Sequence, residues 1–384
     1  MSNQMSNMQG QPVGITVDQF LAATQDFNIR TGSYQFADNG LTHIVLPKSG
    51  LGTSVTLAFA LTVTVAGTVS SGKWASYPPA PFSVIKKMQL YSNTSRFIRN
   101  LSGWSWYQYL RKRTGFDPFA LPAGSYSSGI NALIGIGAQS IIPGANVAAG
   151  TYQINLPLII PIAYNDRLDT GLLLMQYNNV EFDIDITWGA VVSGISATGG
   201  SNDLFNTLVG TGLTVTCTGS VTVNVTTVAV PASVLPNTGM ILSVNEQIQP
   251  GIFGGDNILL PPPQEFYTML AVEIFNNSAV LPPANIGVTR LSYGGNIDRY
   301  VQDYTCQAIK DTWRQQMQPT DGCIWWDMGM RTGLDNRRDI SGALNAAQLT
   351  DLKLIVSLPS TLTPTGNNGM KLIRESLETV TQGQ

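Results

Sequence analysis

The sequence has few charged residues. Only 12% of its 384 residues are Asp, Glu, Lys or Arg, roughly half of the usual share of about 25%. The formal net charge of −3 gives no indication of a nucleic-acid partner. A chain with few charges and ample apolar content is expected to bury much surface against other chains. The other interpretation is a secreted β protein with a neutral polar surface.

Histidine and cysteine are also scarce. His43 is the single histidine, so a Ser-His-Asp or Cys-His triad would have to use it, and zinc sites built on several histidines are excluded. The three cysteines, Cys217, Cys306 and Cys323, are odd in number and lack metal-ligand spacing. They predict free thiols and folding in a reducing compartment.

Long apolar runs are absent. No stretch reaches the roughly 18 apolar residues that a membrane-spanning helix needs. The most apolar run, Leu156 to Ala163, is short and is interrupted by Pro157 and Pro161. Residues 1–10 are polar and uncharged, and they lack the basic start and apolar core of a signal peptide.

Two long segments of the sequence alternate apolar residues with small or polar ones, as β-strands do. From Ser54 to Val65, every second residue is apolar, and Leu213 to Val230 alternates again, with one slip that predicts a bulge or hairpin near Gly219. The 38 glycines and 21 prolines separate short apolar runs. This pattern is typical of an all-β sandwich.

The two halves of the chain carry the same succession of elements, which indicates one β-rich unit present twice and favours a structural protein. In the first half the order is strand 83–90, a turn, a short run, helix 104–111, strand 156–163, an Asp-rich turn and strand 180–188. In the second half the order is strand 286–293, a turn, run 298–301, helix 306–317, strand 323–328, an Asp-rich turn and strand 352–358. Residues 191–212 are interpreted as the connector.

A short helix is predicted ahead of the first β unit. Thr16 and Gln19 have the spacing of a capping box, and the apolar side chains that follow, as far as Phe27, share one side. The predicted helix, Thr16 to Phe27, has little core of its own and is expected to dock on another surface.

Three groups of residues are candidates for a catalytic or metal-binding site. The histidine is interpreted as a strand residue that faces solvent or a polar neighbour. Asp183 and Asp185 could serve glycoside hydrolysis, but alternation with Phe182, Ile184 and Ile186 favours the wet face of a half-buried strand. The Asp-rich turns could bind calcium or could simply be turns; they contain Asp166 and Asp169 in the first half, and Asp335 and Asp339 in the second.

One charge asymmetry stands out, because no acidic residue occurs between Asp38 and Asp117. An aromatic-basic stretch at 104–113 could contact nucleic acid or an anionic membrane. The favoured interpretation is a helix whose aromatic side chains pack on its own sheet, with arginines extended to solvent or paired with a neighbouring subunit. The basic residues of the interval are Lys48, Lys73, Lys86, Lys87, Arg96, Arg99, Arg111, Lys112 and Arg113.

Three sets of motifs carry a family resemblance. Residues 158–171 look like a Pro-Leu-Ala-Tyr strand followed by an Asp-x-Thr-Gly-type turn, Ser102-Gly103-Trp104 and Thr312-Trp313 mark the two helices, and Cys323 to Asp327 form an apolar-aromatic strand. In this order they resemble the double jelly-roll major capsid proteins of tailless, membrane-containing icosahedral bacteriophages, the tectivirus group. The likeness covers most of the chain as a pattern.

The resemblance implies an all-β fold of two tandem eight-stranded jelly rolls with short inserted helices: an N-terminal arm and short helix at 1–30, a first jelly roll at 31–195, and a connector and second jelly roll at 196–384. It also implies a pseudo-hexagonal homotrimer that tiles an icosahedral shell over an internal membrane and the genome.

The partners implied are neighbouring capsomers, minor capsid and vertex proteins and the membrane, without specific nucleic acid. No catalytic, cofactor-binding or metal-binding residue is implied. The virion would be the location, after assembly in the host cytoplasm. The alternative is an extracellular glycan-binding or glycan-cleaving β-sandwich protein.

Overall fold

The structure is a computed structural model. It describes residues 25–93, 96–114, 141–164, 171–175, 180–229, 240–263, 266–277, 279–281, 285–295, 297–302, 323–328 and 342–379. Most of the described residues lie in β-strands, which confirms the predicted all-β class.

Strands β1 to β11 lie in the first 229 residues. They are β1 (Gln25–Gln35), β2 (Leu41–Val45), β3 (Leu51–Trp74), β4 (Ile85–Ser92), β5 (Arg96–Leu101), β6 (Gly150–Pro161), β7 (Leu173–Leu174), β8 (Phe182–Trp188), β9 (Ile195–Ser196), β10 (Gly199–Gly200) and β11 (Phe205–Ala229). A 3-10 turn, Phe82–Val84, precedes β4, and helix α1, Gly103–Thr114, follows β5.

Strands β12 to β21 form the rest of the fold. They are β12 (Met240–Pro250), β13 (Gly255–Leu259), β14 (Phe266–Asn276), β15 (Ala279–Val280), β16 (Thr289–Tyr293), β17 (Ile297–Gln302), β18 (Cys323–Asp327), β19 (Leu344–Asn345), β20 (Lys353–Leu358) and β21 (Gly369–Thr379). A second 3-10 turn, Ala346–Gln348, follows β19.

The first outer sheet is built around two long antiparallel strands, β3 and β11. Their neighbours are β6 on the free side of β3 and β1 on β11, with β7, β9 and β10 at the ends. The pairing aligns Val55 with Val225 and Val63 with Cys217. The inward residues of β3 are buried and its outward residues are partly or fully exposed, so the alternation predicted for 54–65 is confirmed.

A ten-stranded shared sheet joins the two halves of the chain. Its main order is β15-β14-β21-β12-β5-β4-β8-β2, with β18 and β19 also paired to β14. The halves meet where β5 and β12 run parallel, at Arg99 opposite Val244 and Asn100 opposite Asn245. The second outer sheet has the order β13-β20-β16-β17.

Two cores lie on opposite faces of the shared sheet. Along β14, Met269 and Ala271 belong to the core that the first outer sheet covers, whereas Leu270 and Val272 belong to the core that the second outer sheet covers. Every residue of β14 from Tyr267 to Phe275 is therefore buried, as expected of a strand covered on both sides. We call the parts of the fold built on these cores the first and second lobes.

The repeat of the two halves is visible in the described residues. Strand β4 turns at Asn93 into β5, and β16 turns at Gly294 and Gly295 into β17. All three turn residues have positive φ angles, which explains the choice of Asn and Gly there. The first inserted helix is confirmed as α1. The second, predicted at 306–317, lies outside the described residues, as do the Asp-rich turns.

The N-terminal helix prediction is wrong at its C-terminal end. Residues 25–27 begin β1, which pairs with β11 from Gln25 opposite Ala229 to Gln35 opposite Ser220. The edge of β11 supplies backbone hydrogen bonds over the whole length of β1, and this tertiary pairing overrides the local helical pattern. The rest of the predicted helix lies outside the described residues.

Two expectations about residues 191–229 are also corrected. Residues 191–212 are no connector, since they contain β9, β10 and the start of β11, all paired within the first outer sheet. No bulge or hairpin occurs near Gly219, because β11 passes it in unbroken register. Gly219 has a φ of +135°, and a side chain there would meet the carbonyl oxygen of Ala60 at 2.1 Å. Gly219 therefore lies at one of the inward-facing positions of β11, where a larger residue would not fit.

Asp38 fastens one end of the first lobe. Its carboxylate accepts hydrogen bonds from the backbone nitrogens of Val191 at 2.7 Å, Val192 at 2.9 Å and Ser193 at 2.8 Å, and from the Ser193 hydroxyl. Partial burial opposes ionisation, but these hydrogen bonds together hold the pKa of Asp38 below its ordinary value.

We predict that Asp38→Asn lowers the free energy of unfolding by about 1–2 kcal/mol at pH 7, since hydrogen bonds to a charged acceptor are lost at a partly solvated site. Because the pKa of Asp38 is lower in the folded than in the unfolded protein, its ionisation stabilises the folded protein at pH values above the unfolded-state pKa. This contribution is lost as the pH falls through the folded-state pKa. Denaturant unfolding should therefore show the difference at pH 7 and little difference near pH 2.5. An equal difference at both pH values would contradict this origin.

Candidate functional site

Helix α1 is the element that brings the two lobes together. It begins at Gly103, where a side chain would meet the carbonyl oxygen of Phe82 at 2.5 Å. The Ser102 hydroxyl accepts a hydrogen bond from the backbone nitrogen of Ser105 at 3.4 Å and donates to Glu246 of β12 at 2.9 Å. The predicted helix start at Ser102-Gly103-Trp104 is thus confirmed, with a serine in the N-cap role.

A set of polar side chains is buried between α1 and the second-lobe strands of the shared sheet. We call this set the interlobe seam. It comprises Tyr77, Arg99, Trp104, Gln108, Tyr109, Arg113, Thr268, Glu273, Lys371 and Glu375.

Glu273 forms one centre of the seam, and its side chain is fully buried. It accepts hydrogen bonds from the Tyr77 hydroxyl at 2.8 Å, from the Trp104 indole and from the Gln108 amide at 3.5 Å. The Lys371 ammonium lies 3.7 Å away and also 5.3 Å from the centre of the Tyr77 ring. Burial and then the neighbouring Glu273 raise the pKa of Tyr77, so the phenol remains a donor.

Glu375 forms the second centre, and its side chain is also fully buried. The hydroxyls of Tyr109 and Thr268 donate to it at 2.5 and 2.7 Å, and the Arg113 guanidinium forms an ion pair with it. Arg113 comes from α1 in the first lobe and Glu375 from β21 in the second. A buried ion pair therefore spans the two lobes.

Two arginines also hold the end of β6. Arg113 donates to the carbonyl oxygens of Ala163, at 3.0 Å, and of Tyr164. Arg99 donates to the carbonyl oxygens of Pro161, at 2.6 Å, and of Leu242 in β12. Residues 161–164 belong to the motif singled out in the sequence, so the structure gives this motif a physical role: its backbone carbonyls are acceptors for the seam arginines.

Arg99 is almost completely buried. Burial is the largest influence on its pKa and lowers it to about 10, so the guanidinium stays charged at neutral pH. Its acceptors are backbone carbonyls from three strand segments, including its own neighbour Ile98 at 2.9 Å. Arg99 thereby connects β5 to the end of β6 and to β12 at the point where the lobes meet.

The prediction that the aromatic side chains of the aromatic-basic stretch pack inside the fold is confirmed. The expectation that its arginines extend to solvent or pair with a neighbouring subunit is wrong, because Arg111 is buried and Arg113 pairs with Glu375 of the same chain. Trp106, Tyr109, Arg111 and Lys112 are all buried, and the helix contacts the strands of the second lobe as well as its own. The predicted alternatives, contact with nucleic acid or a membrane, would need these side chains at the surface. No signal in the helix itself indicated its partner. A lone glutamate in the apolar strand 266–276 was the available hint.

His43 lies where the sequence placed it, on a strand and beside polar neighbours. Its ring is half exposed and its Nδ1 is 2.8 Å from Asp185 and 3.3 Å from the Tyr91 hydroxyl. Burial, then a hydrogen bond to Asp185, raises the pKa of Tyr91 to about 12. A carboxylate and a phenol are not the serine or thiol nucleophile of a triad.

Asp183 corrects the expectation that both strand carboxylates are on a wet face. Asp185 is partly exposed, but Asp183 is buried against Tyr91 of β4 and Val45 of β2 in the register of the sheet. One of its oxygens is buried without a hydrogen-bond partner. Burial, opposed by nearby His43, raises the pKa of Asp183.

Of the described cysteines, Cys217 is a free thiol, and burial raises its pKa to about 12. Among the described residues, no group of three or more His, Cys, Asp or Glu side chains is arranged to hold a metal ion. No helix in the described part of the chain is long and apolar enough to cross a membrane.

Comparison with solved structures identifies the fold. The chain is similar to the STIV major capsid protein, from Sulfolobus turreted icosahedral virus, with a TM-score of 0.64 and 13% identity over 92% of this chain and 96% of that chain. It is similar to the Faustovirus major capsid protein, with a TM-score of 0.55 and 9% identity over 97% and 92%. The PBCV-1 virus capsid gives a TM-score of 0.54 and 10% identity over 92% and 93%.

No protein-family model matches the chain, and a sequence search of curated proteins gives no match. The likeness is therefore one of fold, shared over nine-tenths of each chain with double jelly-roll proteins from viral capsids. The double jelly roll expected from the sequence resemblance is confirmed.

We predict that Glu375→Gln lowers the free energy of unfolding by about 3 kcal/mol, because it leaves Arg113 buried without its anion. A double-mutant cycle with Arg113→Met should show strong coupling. The control is the exposed pair of Asp256 and Arg290, where Asp256→Asn should cost less than about 1 kcal/mol. Denaturant unfolding measures both. Equal costs for the buried and exposed pairs would contradict the role of the seam.

Asp183→Asn should stabilise the protein at pH 7, raising the midpoint of thermal unfolding by about 2 °C, because it removes a buried carboxylate with an unsatisfied oxygen. A raised folded-state pKa means that the folded protein loses stability as the pH rises through the unfolded-state pKa, so the advantage should disappear near pH 3. The matched variant Asp185→Asn should instead be destabilising, since it weakens the contacts with His43 and Tyr91. Thermal scans that show the opposite order would refute this account.

Proposed function

We propose that this protein is a viral major capsid protein. In this proposal it self-assembles as pseudo-hexagonal homotrimers into an icosahedral shell that encloses an internal membrane and the genome. The observation that carries the proposal is the double jelly roll itself, whose two lobes are joined through a buried charged seam and match viral capsid structures over nine-tenths of the chain.

The seam supports assembly because it fixes the relative orientation of the lobes. Trimers built from two similar lobes per chain have six lobes around one axis, and a hexagonal outline requires each pair to keep one geometry. Hydrogen-bonded buried charges have few alternative arrangements. With α1 fastened to both lobes, each chain behaves as one building block. We place the division between the lobes between β11 and β12, in place of the division after residue 195.

Low charge supports the same function. A chain with 12% charged residues has many faces that can be covered without removing ions from water. The partners we propose are other copies, neighbouring capsomers, and minor capsid and vertex proteins. The N-terminal arm that precedes β1 is proposed to contact the internal membrane. We propose the virion as the location, after assembly in the host cytoplasm, which the free thiol of Cys217 suits.

We propose no enzymatic activity and no catalytic, cofactor or metal site. The rival function, binding or cleavage of glycans, requires an accessible carboxylate pair beside aromatic side chains. Asp183 is buried and Asp185 is hydrogen-bonded to His43, so this strand does not offer such a pair.

The test is the native mass of the full chain. We expect a trimer of 41.3 kDa subunits at micromolar concentration by light scattering, and hexagonal outlines of that size in negative-stain images. The matched control is the same protein after dilution to nanomolar concentration and in denaturant, which should give single chains. A folded monomer throughout the micromolar range would reject a shell protein.

A further inference from the structure

The two outer sheets present unlike surfaces. On the first outer sheet, four adjacent strands turn uncharged side chains outward, and we call this the neutral face. It comprises Asn28, Arg30, Ser33 and Gln35 of β1; Thr216, Thr218, Ser220, Thr222, Asn224 and Thr226 of β11; Thr56, Ala58, Ala60, Thr62 and Thr64 of β3; and Thr151, Gln153, Asn155, Pro157 and Ile159 of β6. Within this set Arg30 is the single charged residue. The exposed Asp26 precedes Asn28 on the same side of β1, so both charges lie on the edge strand.

The neutral face is large enough for a stable contact. Four strands about 4.8 Å apart, each about eleven residues long with a rise of about 3.4 Å, cover roughly 650 Å². A standard interface buries about 800 Å² on each partner. Ala58, Ala60, Pro157 and Ile159 are exposed on it, so part of the surface is apolar.

The second outer sheet turns aliphatic side chains to solvent, and we call this the aliphatic face. Ile258 of β13, Leu260 just after it and Val288 just before β16 are 45%, 61% and 41% exposed, and Ile355 of β20 is paired directly with Ile258. The charges among them pair with each other, since Arg290 forms ion pairs with Asp256 and with Asp298. Such a cluster on a sheet with an open edge strand is typical of an interaction site.

The two faces lie on opposite sides of the shared sheet. The core covered by the first outer sheet and the core covered by the second use alternate residues of β14 and β21, and neighbouring residues of a strand point to opposite faces. One chain therefore has a neutral face at one side and an aliphatic face at the other. A contact between unlike faces is heterologous, and it gives a closed ring when the rotation closes.

We propose that the neutral face of one copy docks on the aliphatic face of the next copy, and that three such contacts close the trimer. The proposal rests on the proposed function and names the surfaces that perform it. Docking of the two faces removes few unpaired ions from water, because Asp26 and Arg30 lie on the edge strand at the rim. The exposed aliphatic side chains find apolar partners in Ala58, Ala60, Pro157 and Ile159.

The experiment uses one charged substitution on each face of the full chain. Ala60→Glu places a carboxylate in the centre of the neutral face, and Ile258→Glu does so on the aliphatic face. Ser71→Glu is the control, since Ser71 is exposed on the same strand as Ala60 but beyond the neutral face. All three positions are exposed, so circular dichroism and thermal midpoints should match the wild type.

Each face variant alone should be monomeric at a concentration at which the wild type and Ser71→Glu are trimers. An equimolar mixture of the two face variants should give dimers by native mass, because one intact neutral face meets one intact aliphatic face and the ring cannot close.

The other outcomes reject the contact. If the wild type is a trimer and either face variant remains one, the faces do not meet and the capsid function stands. If the mixture stays monomeric, the contact is not between unlike faces. If the wild type itself is monomeric, the proposed function fails first.

Discussion

The buried carboxylates Glu273 and Glu375 are the constraint on which the rest of the structure depends. An ionised carboxylate without partners is very costly in a protein interior. Each of these has hydrogen-bond donors from helix α1 and a cation, Lys371 for the first and Arg113 for the second. Tyr77 and the donors on α1, including Arg113, belong to the first lobe, whereas both carboxylates, Thr268 and Lys371 belong to the second. Neither lobe can be complete without the other, and this dependence favours a single relative orientation.

Several features far apart in the sequence follow from this constraint. Helix α1 must begin close to Phe82, which requires Gly103. Arg113 must reach both Glu375 and the carbonyls that follow β6, so β6 ends beside the helix. Strand β14 must be largely apolar on both faces, with the seam residues Thr268 and Glu273 as polar exceptions, because one face meets α1 and the first core while the other meets the second core. A buried ion pair is weak evidence of net stability, but its loss on separation of the lobes is a strong reason for them to stay together.

Sequence reasoning found the parts of the fold that depend on local periodicity. Alternation in 54–65 and 213–230 predicted β3 and β11, and the aromatic run at 104–111 predicted α1, because side-chain periods of two and 3.6 residues are local properties. Strand partners are not local. The pairing of β11 with β3 joins residues between 131 (Phe205 with Trp74) and 177 (Val228 with Leu51) positions apart, and the interpretation of 191–212 as a connector failed for that reason. Asp183 looked like a wet-face residue because its neighbours alternate with it, yet Tyr91 and Val45 of flanking strands cover it.

The interlobe seam was the least predictable part, because its residues come from segments far apart in the sequence and no local pattern shows that these segments meet. Glu273 in an apolar strand and Glu375 near the C-terminus each fit a mundane explanation alone. Their meaning appears once α1 lies between them with Trp104, Tyr109 and Arg113. The few charges of this chain are divided between its interior and its surface. Ionic contacts with strict geometry lie inside the chain, where they fix its shape. The outward faces of the two outer sheets have mainly neutral or mutually paired side chains. Contacts made by such faces lose little on desolvation and impose fewer angular requirements, which suits the assembly proposed for this chain.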